Sequence, residues 1–195
     1  VAHIPGLKVA MPSSAYEAKG LMKTAIRDDN PVVIFEDKLM YQDKAPVPEE
    51  EFLIPFGEAN ILREGNDVTL IGTSSMRQVC EKAAELLEAD GISAEVMDPR
   101  TIVPLDEDTL LASARKTSRV IVVDEGHQSY GVTAEIAARI NEKAFYHLDA
   151  PVIRMGAMDV PVPFSPALED LTVPTPEGVA ANARKLMSGE MIHAA

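Results

Sequence analysis

The sequence predicts an α/β protein: a three-layer domain with a mainly parallel sheet, preceded by a β-α-β remnant of a different sheet. Three observations lead there. Val120 to Val123 form an unbroken β-branched run, the composition of a strand covered on both faces by helices. After it comes a polar loop, Asp124 to Ser129, and then apolar residues recur at Val132, Ile136 and Ile140 as one stripe of a helix. The same strand–loop–helix unit repeats through the rest of the second region, while the first forty residues hold only two strands and a helix. So small a unit does not cover both faces of a sheet.

Leu7 to Met11 read as a short buried strand closed by Pro12. Ser13 or Ser14 caps the next helix, because a side-chain oxygen there accepts a bond from an orphan amide. Ala15, Ala18, Leu21, Met22, Ala25 and Ile26 share one helical face, and Pro31 ends the element. Val32 to Phe35 make a second buried strand. The chain does not begin with methionine and enters a strand within a few residues, which reads as a start partway through a domain. The tail of this first domain is expected over residues 1–41.

Residues 42–59 are expected to be a partly packed linker. Pro46, Pro48 and Pro55 surround the acidic run Glu49 to Glu51, with Phe52 and Phe56 close by. The acid run reads as a solvated surface.

The second domain is expected over residues 60–195. Val68 to Ile71 is a strand; Met76, Val79, Cys80, Ala83, Ala84 and Leu87 mark a helix that Asp90-Gly91 stops. Ile92 to Met97 is the next strand, leading into DPRTIVPLDED, where Asp106 caps a helix through about Ala114. The Val120 strand and its helix follow, then a strand at Pro151 to Met155 and a proline-rich loop from Asp159 to Asp170. Thr175 and Pro176 start a last helix running to about Met187, with proline at the tolerated first position. Four strands alternating with helices imply a mainly parallel sheet, since such crossovers are right-handed.

Bulk properties exclude several classes. A formal net charge of −13 argues against nucleic acid or an anionic membrane as partner. A lone cysteine, Cys80, allows no internal disulfide and suits a reducing cytoplasm. It falls in a helix's apolar stripe and reads as a buried, inert thiol. No apolar run approaches the roughly 20 residues that span a bilayer.

Chemistry is sparse. In AIRDDNP, Asp28 and Asn30 follow the carbonyls of Ala25 and Ile26 at the negative end of a helix. Either the aspartates point into water, or a hard cation sits among these oxygens. His127, beside Asp124 and Glu125, is a weak candidate general acid or base, because neighbouring carboxylates raise a histidine pKa. Arg100 either clamps a carboxylate or phosphate, or holds its loop by pairing with Asp98 or Asp124, and the structural role is favoured. His3, His147 and His193 sit in weakly patterned sequence and receive no role. No phosphate-cradling glycine loop, metal-spaced Cys/His set or nucleophile elbow is present.

Taken together, HIPGLKVAMPSSAYEAKGL, AIRDDNPVVIFE, IPFGEAN, DPRTIVPLDED, the DEG loop before GVTAEI, and DVPVPFSPALED resemble the β subunit of thiamine-diphosphate-dependent 2-oxo-acid dehydrogenases, of the acetoin or pyruvate dehydrogenase type. The resemblance covers nearly the whole chain in one order. It implies a pyrimidine-binding domain ending in residues 1–41 and a transketolase C-terminal-like domain after the linker. It places the catalytic glutamate and an active-site histidine upstream of this chain, and the pyrophosphate with its magnesium on an α subunit. Thiamine diphosphate and magnesium are therefore implied as cofactors that this portion does not hold. The resemblance further implies a potassium site at Ala25, Ile26, Asp28 and Asn30. As partners it implies the α subunit, a second β subunit and a lipoyl acyltransferase core. His127 does not match a family residue of fixed role. Two alternatives stand beside this reading. One is the C-terminal region of a transketolase or deoxyxylulose-phosphate synthase, whose phosphorylated substrates call for a basic cluster. The other is a non-catalytic α/β assembly module.

Overall fold

The computed structural model describes residues 1–190; the end of the expected second domain, His193 included, lies outside the described residues. Two sheets organise it. The first has three strands: β1 (Lys8–Ala10), parallel to β2 (Val32–Ile34) and antiparallel to β6 (Thr101–Val103). Between β1 and β2 runs α1 (Ala15–Ile26). The second sheet has five strands in the order β3 (Asn60–Arg63), β5 (Ala94–Asp98), β4 (Val68–Gly72), β7 (Val120–His127), β8 (Ile153–Ala157). Its pairs are parallel except at the edge, where β3 runs antiparallel to β5.

The helices of the second region cover both faces of this sheet, as the β-branched runs require. On one face α2 (Met76–Glu88) and α6 (Pro176–Ser188) close a core with Leu70, Val96, Ile121 and Val123. On the other α3 (Glu107–Thr117) and α4 (Val132–Ala144) pack against Ile71, Met97, Val120 and Val122. Alternate residues of one strand thus face opposite cores. The caps follow the sequence: Asp106 accepts from Thr109 N, and Thr175 from Gly178 N. Within the proline-rich loop lies one helical turn, α5 (Pro166–Glu169).

The front unit keeps its own small core, Ala10 and Leu21 with Ile54. Ile54 comes from the proline-rich connection, and Phe52 beside it stacks on Tyr16 with ring centroids 4.4 Å apart. Lys19 draws the backbone carbonyls of Pro48 and Glu50 onto α1, the latter at 3.0 Å. The acid run itself remains exposed.

Three features depart from the sequence expectations. β3 and β6 are strands where only connecting sequence was expected, and both borrow their hydrogen bonds from a neighbour's edge. The β7 strand continues past its buried stretch, so Asp124, Glu125 and His127 lie on a strand end and not in a loop. Strands β1 and β2 stay out of the five-stranded sheet as expected, but the front unit receives its third strand, β6, from the second region.

Candidate functional site

Three clusters collect the residues singled out by sequence. The first is the turn after α1. Ser14 caps the start of that helix by accepting from Glu17 N, and Arg27 closes its end. Asp28 N–H then donates to the Ala25 carbonyl at 3.2 Å. The Asp28 carboxylate accepts from both Asn30 N, at 2.9 Å, and Asn30 Nδ2, at 3.0 Å. Its other oxygen pairs with the Lys8 ammonium of β1. The hydrogen bond from Lys8, helped by those from Asn30, holds the Asp28 carboxyl down to about 2. Ala25, Ile26, Asp28 and Asn30 therefore share one turn of oxygen-rich backbone. The Lys8 ammonium resting against Asp28 already balances the charge of that carboxylate. Among the described residues no group of three or more His, Cys, Asp or Glu converges on a metal position. A cation at this turn would rely on carbonyl and amide oxygens as much as on the one carboxylate, which suits a weakly demanding monovalent ion.

The second cluster is at the carboxyl ends of β4 and β7. The chain leaves β4 for β5 on one side and later returns to β7 on the other, so this is where the strand order reverses. Open α/β sheets place ligands at such points. Here Thr73 bridges the gap by donating its hydroxyl to Asp124, which also accepts from Gly126 N at 2.9 Å. Glu125 turns instead to Ser75, whose hydroxyl lies 3.2 Å away. Partial burial, with the charge of Asp37 added, pushes the Glu125 carboxyl above its ordinary range. His127 points to neither carboxylate: its Nε2 lies 3.0 Å from the Val160 carbonyl. Ser129 N and Oγ reach Asp159 from the same side. These contacts strap the proline-rich loop to the end of β7, which is a holding role for His127.

The third cluster lies between the two sheets. Arg100 sits at the turn between β5 and β6 with φ of 57°. Its N–H donates to Asp98 Oδ1 at 2.7 Å, and its Nε donates to Glu17 Oε1 at 2.8 Å. The structural role is thus the one realised, but the side-chain partner is neither aspartate weighed from sequence. Glu17 and Ser13 were missed. Ser14 to Glu17 spells a capping-box pattern, which accounts for a glutamate at that position without invoking anything distant.

This architecture, with these clusters, has relatives. The pattern described as transketolase, C-terminal domain, matches residues 57–179. The chain belongs to the transketolase C-terminal domain family. The pattern described as transketolase, pyrimidine binding domain, matches residues 1–44, which take in the front β-α-β unit. The acetoin:2,6-dichlorophenolindophenol oxidoreductase subunit beta of Bacillus subtilis (strain 168) is 47% identical over 184 residues, covering 94% of this chain and 54% of that protein. The mitochondrial pyruvate dehydrogenase E1 component subunit beta-1 of Arabidopsis thaliana is 47% identical over 188 residues, with 94% and 52% covered. A solved structure titled split gene transketolase, inactive beta4 tetramer, superposes with a TM-score of 0.78 at 27% identity, covering 97% of this chain and 60% of that one. The chain spans about half the length of the curated relatives it matches. No helix among the described residues is long and apolar enough to cross a membrane.

Proposed function

We propose that this transketolase-family chain serves as the C-terminal portion of a β subunit in the thiamine-diphosphate-dependent component of an acetoin or pyruvate dehydrogenase complex. One observation carries the reading: 47% identity to such a β subunit over 184 residues that run through both the front unit and the second domain in a single order. A bare fold likeness would not preserve the connection between them at that level.

Thiamine diphosphate supplies the chemistry of such an enzyme, cleavage of a carbon–carbon bond next to a carbonyl with the cofactor as electron sink. The disulfide of a lipoyl arm on an acyltransferase would take up the fragment as an acyl group, itself reduced to thiols as the fragment is oxidised. The clusters described above are busy holding structure, so this chain's own share is scaffold, subunit contact with an α subunit and a second β subunit, and cation binding. Magnesium and the pyrophosphate belong with the α subunit in this reading. Potassium would lie at Ala25, Ile26, Asp28 and Asn30, where it would tie the end of α1 to β2. In this reading the assembly is cytoplasmic, which the single buried thiol of this chain supports.

A transketolase region is the second reading, favoured by the structural match at 27% identity. The test is a turnover assay with thiamine diphosphate, magnesium and 2,6-dichlorophenolindophenol. The full β subunit carrying this chain, assembled with its α subunit, is expected to oxidise acetoin or pyruvate, and the 195-residue chain alone to be inactive. Turnover by the chain alone, or turnover only with sugar phosphates, would overturn the proposal.

A further inference from the structure

The junction between the two sheets holds a buried polar group that the proposed chemistry does not use. Ser13, Glu17 and Asp98 are each at most 2% exposed. Ser13 Oγ lies 2.6 Å from Glu17 Oε2 and also within hydrogen-bond reach of Asp98 Oδ2. A hydroxyl has one proton to donate. If both carboxyls were ionised, one of these two contacts would set lone pair against lone pair in a place without solvent. Glu17 is the natural anion: it collects Ser13 N–H at 3.0 Å and the Arg100 guanidinium at 2.8 Å. Asp98 has only the Arg100 backbone N–H, on its other oxygen. Asp98 must then donate to Ser13 Oγ, and Ser13 to Glu17.

We propose that Ser13, Glu17 and Asp98 share one extra proton at neutral pH, carried by Asp98, and that this proton latches the front β-α-β unit to the five-stranded domain. The placement makes it a latch. Asp98 ends β5 in the large sheet, three residues later the chain enters β6 in the small one, and Ser13 and Glu17 belong to the front unit. Met11 N–H also donates to the Arg100 carbonyl at 2.8 Å, so β1 is tied to the same turn.

Titration follows the geometry. Burial, with the charge of Glu17 added, pushes the Asp98 carboxyl up to about 8. Burial alone would push Glu17 up as well, but hydrogen bonds from Ser13 and Arg100 together hold it below its ordinary range. The charged groups facing Asp98 are Glu17 from α1 and Arg100 from the turn. From α2 comes Cys80, whose thiol burial pushes up and keeps neutral. On that helix Arg77 and Glu81 pair with each other at 3.4 Å. The β3 strand sets uncharged Asn60 opposite Asp98, and Lys8 of β1 is committed to Asp28. A carboxyl pKa raised by folding gives stability that is complete below the unfolded value and is lost as pH rises through the folded one. The latch therefore weakens steadily as pH rises from the unfolded carboxylate range, and its loss is complete at about pH 8.

The test is amide hydrogen exchange on the whole chain from about pH 6 to about pH 10, corrected for intrinsic rates, comparing the native sequence with Asp98→Asn. Asparagine is neutral at every pH and retains a donor for Ser13. In the native chain, protection of β1 and β6 relative to β4 is expected to fall about tenfold per pH unit from about pH 6 up to the midpoint near 8, and to level off above it. The variant is expected to stay flat. Equal loss in both chains, or none in the native one, would overturn the proposal. Infrared spectroscopy of aspartate-labelled native chain decides the point even if the variant does not fold. A carboxylic-acid band at neutral pH that vanishes in alkali is expected, and its absence at neutral pH would overturn the latch.

Discussion

Arg100 Nε donates to Glu17 Oε1 across 2.8 Å, linking residues 83 positions apart and two different sheets. Glu17 is 2% exposed, so its charge has this guanidinium and the Ser13 donors in place of water. Removing one partner of a buried pair costs far more than the pair contributes, because the survivor is stranded.

Arg100→Ala is therefore expected to destabilise the chain by about 3–5 kcal/mol. Urea unfolding at neutral pH checks this. Replacement of the exposed Arg184, paired with the exposed Asp90, should cost less than about 1 kcal/mol in the same assay.

Gly65 lies between β3 and β4, where an added Cβ would come within 2.2 Å of the Ala94 carbonyl carbon and Glu95 N. Backbone of a buried strand does not yield, so Gly65→Ala is expected to cost about 1–3 kcal/mol or more. Gly91, with φ of +75° and open space around it, offers the contrast. There alanine meets only the left-handed backbone penalty, about 1–2 kcal/mol. Thermal unfolding of the two variants ranks them.

Cys80 is buried in the core between α2 and the sheet. Burial holds its thiol well above the ordinary range, so thiolate does not form in the folded chain at mildly alkaline pH. A disulfide reagent is expected to leave the native chain unmodified and to label one thiol per chain once urea passes the unfolding midpoint. Absorbance of the released thiolate follows this directly.

If the turn after α1 binds potassium, adding potassium chloride should raise the melting temperature above that in lithium chloride of equal ionic strength. A shift of about 2–4 °C corresponds to roughly 1 kcal/mol in a chain of this size. Asn30→Ala and Asp28→Asn are expected to abolish the difference. With the Asp28 carboxyl held at about 2, the contribution of its charge is present above the unfolded carboxylate range and is lost only as pH falls through about 2. The potassium response should therefore persist at about pH 5, which repeated melting curves would show.

The fold's main lines were legible in the sequence because they rest on local signals. Val68 to Ile71 and Val120 to Val123 announce strands covered on both faces, and both lie at the centre of the five-stranded sheet. Asp106 and Thr175 announce helix starts, and each makes its capping bond. Asn60–Arg63 and Thr101–Val103 carry no such signal: they are short, partly polar, and become strands only where another strand's edge offers hydrogen bonds. The end of β7 was hidden for a related reason, since pairing with β8 resumes beyond the point where burial stops.

By itself, then, the sequence determined the alternation of strands and helices, the buried thiol, the acidic surface and the oxygen-rich turn after α1. Tertiary structure decided that Arg100 would meet Glu17, that Ser13 would stand between two carboxyls, and that His127 would hold a loop. The physical reason is range. Periodicity and caps act within a few residues, whereas the partner of a buried charge is whichever group the folded chain brings within about 3 Å.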